Sequence, residues 1–213
     1  PAALGRIGLA SRVEPGGDPC AVIQLHIDLP VGGIEEVYFL LGEGTDKGHA
    51  LELIECYQDP AHVEAAWQAT HAFWNRILGT VTVRTPDPAM DIMLNHWLLY
   101  QALSCRVWGR SALYQSSGAF GYRDQLQDVM ALMHAAPEIV RDHILEASEH
   151  QFEAGDVLHW WHPPSGRGVR TRYTDDLLWL PFVVADYVTA TGDEGVLEEQ
   201  KPFVKGEPLE QEE

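Results

Sequence analysis

The chain has 213 residues, 46% of them hydrophobic and seven of them tryptophan, which is enough apolar material for a buried core in one or two domains. Its 32 acidic and 14 basic residues give a formal net charge of −18, which argues against nucleic acid or an anionic membrane as a partner. No apolar run approaches the ~20 residues that cross a bilayer, and no signal peptide opens the chain.

The first part of the chain has the pattern of β-structure. In AVIQLHIDL, residues 21–29, apolar and polar side chains alternate, which predicts a half-buried strand. After the turn PVGG, the segment EEVYFLLG predicts a second strand that ends at Gly42. Two strands cannot bury both of their faces by themselves, so we expect them to belong to a larger sheet.

Helices are predicted from Asp59 onward. Asp59 followed by Pro60, and Asp87 followed by Pro88, are typical helix starts with an N-cap and a proline in the first turn. The connector GTVTVRT between these two helices resembles a short strand. The second helix is predicted to end at Gly109.

The helical pattern continues to Gly192. RDQLQDVMALMHAA predicts a helix that runs to Pro137, where PEIVRDHILEASEHQF begins the next one. DDLLWLPFVVADYVTATGD predicts a helix that closes at Gly192, and its Pro181 implies a kink or a later start. The exception is a long non-helical stretch, residues 155–174. Helix after helix with apolar faces indicates an array of helical hairpins.

The helix that contains RDQLQD is the first candidate functional element. Helical spacing places one set of side chains on a single face: Asp124, Gln127, Asp128, Ala131 and Ala135. One interpretation is a solvated acidic face, and the helix dipole accounts for an acid in the first turn. The other is a face packed against a ligand, because it continues as alanine rather than as lysine or glutamate.

The residues before this helix favour the second interpretation. SSGAFG is glycine-rich, which permits close approach of the backbone to a ligand. Arg123 beside the acids is either a salt-bridge partner or a fork that binds an anion.

The second candidate element is GDVLHWWHPPSGRGVRTRYTDD, residues 155–176. It combines histidines, tryptophans, arginines and aspartates in what we predict to be an irregular segment, and long loops of this kind are usually functional. Aromatic planes beside carboxylates and arginines suit the recognition of sugars. Ordinary explanations also exist: the tryptophans can be core residues, and Asp175 and Asp176 can begin the next helix. The His-x-x-His spacing is not read as a metal site, because the tryptophan pair between the histidines indicates a stacking surface.

Three segments together resemble glycoside hydrolase family 94, the inverting β-glucoside phosphorylases: YQSSGAFGYRDQLQD, GDVLHWWHPPSGRGVRTRYTDDLLWLP and LLGEG. The resemblance is strongest to the phosphorylase-type domain of cyclic β-1,2-glucan synthases and of β-1,2-oligoglucan phosphorylases. It implies a mostly α fold, in which strands of an N-terminal β-sandwich are followed by a linker helix and an (α/α)6 barrel. The expected domains are residues 1–45 for the sandwich strands, 46–85 for the helical linker and 86–213 for the first, incomplete part of the barrel.

The resemblance also implies a mechanism. Inorganic phosphate, as co-substrate, attacks the anomeric carbon of a β-glucan oligosaccharide while one carboxylic acid protonates the leaving oxygen, and the product is α-glucose 1-phosphate. No cofactor and no metal are required. In the family the arginine and aspartates of the RDxxxD element lie in the donor-sugar and phosphate region, and the HWWHPP…DD segment forms the wall of the same cleft. The substrate-binding residues implied are Arg123, Asp124, Asp128, Trp161, His162, Arg172, Asp175 and Asp176, with Asp128 holding glucose hydroxyls.

This sequence departs from the family pattern in its catalytic residues. The general acid of the family lies in a later Trp-Asn-Asp element, and the chain contains no such tripeptide. We therefore expect no catalytic residue in this chain and no activity of the chain alone. An arginine that precedes FRD in cellobiose phosphorylases has no counterpart in SSGAFG, which favours the β-1,2-glucan branch.

The alternatives that stay open are a non-catalytic carbohydrate-binding or chain-length-control segment of a cyclic β-glucan synthase, a cellobiose-type phosphorylase and an (α/α)6 hydrolase. The expected partners are the oligosaccharide and phosphate, with no nucleic acid. The prediction allows a membrane-bound synthase region in the same polypeptide and a homodimer.

The odd number and scatter of Cys20, Cys56 and Cys105 indicate reduced thiols and a cytoplasmic location, which would be the cytoplasmic face of the inner membrane if the chain is part of a glucan synthase. The sequence begins without Met and ends in EPLEQEE, as a piece of a longer protein would.

Overall fold

Helices form most of the regular structure in the computed structural model, which describes residues 7–9, 15–16, 20–109, 118–163, 165–207 and 209. The α-helices, in chain order, are α1 (Lys47–Tyr57), α2 (Pro60–Leu78), α3 (Pro88–Ile92), α4 (Leu98–Gln101), α5 (Tyr122–Val129), α6 (Pro137–Ser148) and α7 (Asp176–Thr191). The chain divides into two compact units, residues 1–64 and 65–213, and the division falls within α2. The mostly helical class predicted from the sequence is confirmed.

The predicted helix starts are also confirmed. The carboxylate of Asp59 accepts a hydrogen bond from the backbone N–H of Ala61 at 2.9 Å, and that of Asp87 accepts one from Ala89 at 2.9 Å. Both bonds satisfy a backbone donor that the first helical turn leaves without a partner. At the other end of the helical region, α7 closes at Gly192 in the left-handed conformation, with φ of 73°.

Two predicted helices differ from the structure, and for a third one of the two predicted alternatives is excluded. The segment after Pro88 alternates between α-helical and π-helical turns, with π-helical segments at Met93–Trp97 and Ala102–Val107. The helix predicted from RDQLQD to Pro137 is interrupted, because α5 ends at Val129 and a 3-10 turn, Met130–Leu132, follows. Helix α7 begins at Asp176 and contains Pro181 in its interior, so a later start is excluded.

The two predicted N-terminal strands do not form a ladder in the described residues. Residues 21–29 and 35–42 lie in the first unit and carry neither helix nor strand, and most of their large apolar side chains are exposed. The sequence predicted strands that belong to a larger sheet, and the sandwich strands within residues 1–45 stay a prediction. Two short strands by themselves bury too little apolar surface to be stable without further partners.

A three-stranded antiparallel sheet lies in the second unit, in the order β1-β2-β3: β1 (Phe120–Gly121), β2 (Val157–His162) and β3 (Arg167–Thr171). Strands β2 and β3 form a hairpin within residues 155–174. That stretch is non-helical, as predicted, but it is not irregular. The hairpin requires Gly168, because a Cβ atom at this position would collide with the carbonyl oxygen of Trp160.

The core of the second unit joins this sheet to the helices. Side chains from the end of α2, the π-helical segment Ala102–Val107, α5, α6, β2 and α7 form one buried cluster. Its members include Ile77, Leu103, Val107, Leu126, Val129, Val140, Ile144, Val157, Trp161 and Val183. The sheet and the start of α5 are thereby held on one packed base.

None of the helices in the described part of the chain combines the length and the apolar character needed to cross a bilayer.

Candidate functional site

A cleft of about 350 Å³ opens where β1, β2 and the first turn of α5 meet. Its lining includes a carboxylate, a guanidinium group, two imidazoles and an indole. The lining residues are Ala119, Gly121, Tyr122, Arg123, Asp124, His159, Trp160 and His162. All of them lie in the second unit, and they come from the two segments that the sequence singles out.

A β-bulge in β2 decides which side chains of the strand reach the cleft. Leu158 pairs with Arg170 and Trp160 pairs with Val169, so His159 is the extra residue between them. In a regular strand, neighbouring side chains point to opposite faces, and a bulge changes that alternation. His159 and Trp160 can therefore both line the cleft although they are adjacent in the sequence.

Arg123 and Asp175 form an ion pair at the rim of the cleft. The guanidinium Nη1 of Arg123 donates to Oδ2 of Asp175 at 2.9 Å, and about half of each side chain is exposed. The hydrogen bond from Arg123 lowers the pKa of the Asp175 carboxyl, and that bond also raises the pKa of Arg123. The pair joins the start of α5 to the start of α7, so Arg123 is a salt-bridge partner of Asp175, bonded to it through Nη1.

The two aspartates of RDQLQD have different positions. Asp124 lies in the first turn of α5, is partly buried and lines the cleft. Asp128 lies one turn further on, outside the cleft lining, and its Oδ2 accepts a hydrogen bond from Nε of Arg106 at 3.0 Å. The face assigned to these acids does not continue as predicted: Ala135 is buried, but Ala131 is exposed, because α5 ends at Val129, before both alanines.

Asp176 is buried behind the cleft, with 2% of its side chain exposed. Its Oδ2 lies 2.7 Å from Nδ1 of His159, whose side chain is 39% exposed. Tyr122 lies in the cleft wall, and its hydroxyl has no hydrogen-bond partner among the described residues. Burial, followed by the negative charge of Asp176, raises the pKa of Tyr122, which keeps the phenol protonated.

The remaining predicted residues divide between the cleft, the core and another surface. His162 lines the cleft, where its ring meets that of Trp160 edge to face at 5.2 Å. Trp161 is a core residue, 3% exposed, and its ring stacks on that of His150 at 3.9 Å. Arg172 is exposed, outside the cleft lining, and donates to the carbonyl oxygen of Leu209 at 2.6 Å.

The structure adds residues that the sequence analysis does not assign to the site. Tyr122, His159 and Trp160 line the cleft, and Arg106 holds Asp128 from the π-helical segment Ala102–Val107. The HWWH motif contains the signal for two of these, but the choice between Trp160 and Trp161 depends on the bulge. No pattern in the sequence predicts the π-helical turn that carries Arg106.

The cleft has the chemistry of a site for a polar ring-shaped ligand. Trp160 offers an aromatic face, Asp124 accepts hydrogen bonds, and Arg123 donates them. Within the described ranges, no group of three or more histidine, cysteine, aspartate and glutamate side chains is arranged to hold a metal ion.

Two family models match the chain. The catalytic domain of the glycosyl hydrolase 94 superfamily matches residues 73–209, and the supersandwich domain of glycosyl hydrolase 94 matches residues 1–60. Both the cleft and the core of the second unit lie within the first match.

Curated relatives agree with the family models. The chain is 43% identical over 203 residues to the cyclic beta-(1,2)-glucan synthase NdvB of Rhizobium meliloti (strain 1021), which covers 95% of this chain and 7% of that protein. It is 32% identical to the N,N'-diacetylchitobiose phosphorylase of Vibrio proteolyticus, over 86% of this chain and 26% of that protein. It is 25% identical to the solabiose phosphorylase of Paenibacillus borealis, over 96% of this chain and 25% of that protein. The chain thus spans a quarter or less of two of these relatives and little more than a quarter of the other, and it belongs to the glycosyl hydrolase 94 superfamily.

Proposed function

We propose that the chain is part of an inverting phosphorylase that acts on β-glucans and releases α-glucose 1-phosphate. The observation that carries the proposal is the cleft, in which an indole, two imidazoles, a carboxylate and a guanidinium group surround a space of about 350 Å³. Family membership supports the reaction class, because relatives of the chain are glycoside phosphorylases.

In the proposed reaction, phosphate takes the place that water has in an inverting glycosidase. It attacks the anomeric carbon from the face opposite to the leaving group, while a carboxylic acid protonates the glycosidic oxygen. Phosphate is already a nucleophile at neutral pH, so the site needs one acid and no general base. Phosphate is a co-substrate, and the reaction requires no cofactor.

The chain contributes the wall of the donor-sugar site in this proposal. Asp124 accepts hydrogen bonds from sugar hydroxyls, and the face of Trp160 and the ring of His162 pack against the sugar. Arg123 contributes charge at the rim, where Asp175 orients it. These four side chains that face the cleft carry direct contacts in the proposal.

The other predicted residues support this wall. Asp128 holds Arg106 behind α5, and Trp161 fixes β2 to the core. Arg172 anchors the chain at Leu209. We therefore propose Asp124, rather than Asp128, as the residue of RDQLQD that contacts glucose.

The domain arrangement is part of the same proposal. The two family matches leave residues 61–72 between them, inside the linker proposed for residues 46–85. Helix α7 is apolar on all sides, and Leu177, Leu178 and Phe182 on it are exposed. A helix of this kind is normally buried all round, which supports residues 86–213 as one part of an (α/α)6 barrel.

The general acid is proposed to come from outside these residues. The chain contains no Trp-Asn-Asp tripeptide, and the carboxylates at the described cleft are Asp124 in its lining and the ion-paired Asp175 at its rim. We expect the chain alone to be inactive in phosphorolysis. A β-1,2 linkage is proposed because the relative from Rhizobium meliloti is a cyclic beta-(1,2)-glucan synthase. A cytoplasmic location, proposed from the free cysteines, and a homodimer stay predictions.

The experiment uses the full-length natural polypeptide that contains this chain. It is incubated with β-1,2-linked gluco-oligosaccharides, with and without inorganic phosphate, and glucose 1-phosphate and glucose are quantified. We expect glucose 1-phosphate, and only in the presence of phosphate. Release of free glucose without phosphate indicates a hydrolase and overturns the proposal, as does the absence of any product with β-1,2-, β-1,3- and β-1,4-linked substrates.

A second candidate is a non-catalytic carbohydrate-binding segment of a glucan synthase. The observation that favours it is the lining of the described cleft, in which Trp160, His162 and Asp124 offer contacts for a sugar. The product assay, run beside affinity chromatography on immobilised oligosaccharide, separates the two functions, because a binding segment is retained on the column but releases no sugar phosphate.

A further inference from the structure

The buried pair of Asp176 and His159 is the feature that the proposed reaction leaves without a role. His159 is the bulged residue of β2, and a bulge beside a cleft commonly aims a side chain into it. Behind it, the carboxylate of Asp176 is almost fully buried, at the start of α7. A buried carboxylate is costly unless a partner satisfies it, and His159 at 2.7 Å is that partner.

The direction of this hydrogen bond fixes the chemistry of the exposed side of the ring. An ionised carboxylate can only accept, so the hydrogen lies on Nδ1 of His159. In the neutral ring, Nε2 then carries a lone pair and no hydrogen. A neutral His159 in this tautomer presents a hydrogen-bond acceptor to the cleft.

Two tyrosines lie beside this pair. The ring of Tyr173 lies 4.7 Å from that of His159 at an angle of 41°, which restricts rotation of the imidazole. Tyr122, in the same wall, has a buried hydroxyl without a partner among the described residues, and its protonated phenol lies near the charge of Asp176.

We propose that His159 contacts the substrate and accepts a hydrogen bond from a hydroxyl of the donor sugar, and that Asp176 is a positioning residue that fixes its tautomer. This rests on the proposed function. An acceptor at Nε2 matches a hydroxyl and opposes the oxygens of a phosphate group. With Asp124 it gives the cleft two acceptors for the hydroxyls of one ring.

Asp176→Asn tests the tautomer with little change in shape. The amide of asparagine can donate to Nδ1, which moves the ring hydrogen to Nε2 and turns the acceptor into a donor. We expect kcat/KM for the sugar substrate to fall by at least about tenfold, since a net hydrogen bond is worth roughly that factor. The KM for phosphate should stay within about twofold.

A fluorine scan identifies the hydrogen bond itself. The full-length polypeptide is assayed in the synthetic direction with α-glucose 1-phosphate and with monodeoxyfluoro analogues, one for each ring hydroxyl. Fluorine accepts but cannot donate, so the unaltered protein should discriminate against fluorine at the hydroxyl that contacts His159. Asp176→Asn should reduce that discrimination at this position alone, because Nε2–H can donate to fluorine.

If Asp176→Asn does not fold, two substitutions of His159 test the same hydrogen bond. His159→Asn keeps an amide near Nδ1 as the partner of Asp176 but removes the group in the cleft, whereas His159→Gln places an amide near Nε2. We expect the sugar defect in His159→Asn and partial rescue in His159→Gln. Asp142→Asn, the same substitution at an exposed position of α6, is the control and should match the unaltered protein.

The outcomes separate this inference from the proposed function. If the unaltered protein makes no glucose 1-phosphate, the proposed function fails, and this inference with it. If it is an active phosphorylase but Asp176→Asn and His159→Asn retain its kinetics and its fluorine discrimination, only this inference fails. A rise in the KM for phosphate without a sugar defect assigns His159 to phosphate and also overturns it.

Discussion

Replacing each of the two adjacent tryptophans of β2 by alanine should affect different properties: Trp161→Ala the stability of the fold, and Trp160→Ala the binding of oligosaccharide. Trp161 is 3% exposed and stacks on His150, so Trp161→Ala leaves a cavity in the core. A buried aromatic side chain removes roughly 150–250 Å² from water, which corresponds to about 4–6 kcal/mol at about 25 cal/mol per Å². This is an upper estimate because the unfolded chain is partly compact, so we expect a loss of about 3–5 kcal/mol.

Trp160→Ala is the matched comparison, since the same side chain is removed one residue away. Trp160 is partly exposed and lines the cleft, so its loss should cost less than half as much stability and should weaken binding of oligosaccharide instead. Urea unfolding followed by circular dichroism gives the stability of each variant, and isothermal titration of the full-length polypeptide gives the affinity for oligosaccharide. Equal losses of stability, or a larger loss for Trp160→Ala, would refute the assignment of the two side chains.

Three further predictions concern stability. The guanidinium carbon of Arg170 lies 3.8 Å from the centre of the Phe152 ring, and two of its nitrogens donate to Asp156, so Arg170→Ala should lower the free energy of unfolding by about 2–4 kcal/mol. Arg170→Lys should not restore this stability, because lysine lacks the planar fork. A urea midpoint for Arg170→Lys equal to that of the unaltered protein would contradict this. The hydrogen bond from Arg170 lowers the pKa of Asp156 in the folded protein. The stabilisation from this pair is therefore present above the ordinary aspartate pKa and is lost as the pH falls through the lowered value, so the difference in stability between the unaltered protein and Asp156→Asn should shrink below about pH 4. A constant difference down to pH 2 would count against the pair. Asp87→Ala removes the side chain that accepts from the N–H of Ala89 and should lower the free energy of unfolding by about 1 kcal/mol, with Asp87→Asn close to the unaltered protein in thermal melts.

Local signals in the sequence predicted the features that depend on a few neighbouring residues. The Asp-Pro pairs mark the starts of two helices because a carboxylate N-cap and a proline in the first turn act within three residues. The end of α7 at Gly192 is also local, because glycine adopts the left-handed backbone conformation that closes the helix without a steric penalty. The motifs RDQLQD and HWWH both contribute side chains to the described cleft.

Positions that depend on long-range packing were not predicted. Periodicity favoured one helix over RDQLQDVMALMHAA, but α5 ends at Val129, and the exposed Ala131 falls in the turn that follows. The alternating segment at residues 21–29 has the pattern of a strand without a ladder, because pairing needs a partner strand as well as a pattern. Secondary-structure propensity is a weak guide wherever packing against another element decides where a helix ends or whether a strand pairs.

Motifs and short-range helix chemistry are enough to identify the family, the mostly helical class and the two segments that meet at the cleft. Which side chains face the cleft depends instead on how the chain packs. A single extra residue in β2 brings His159 and Trp160 to one side and leaves Trp161 in the core. The partner of His159, Asp176, comes from another element 17 residues later, and a pairing of that kind exists only once the chain has folded.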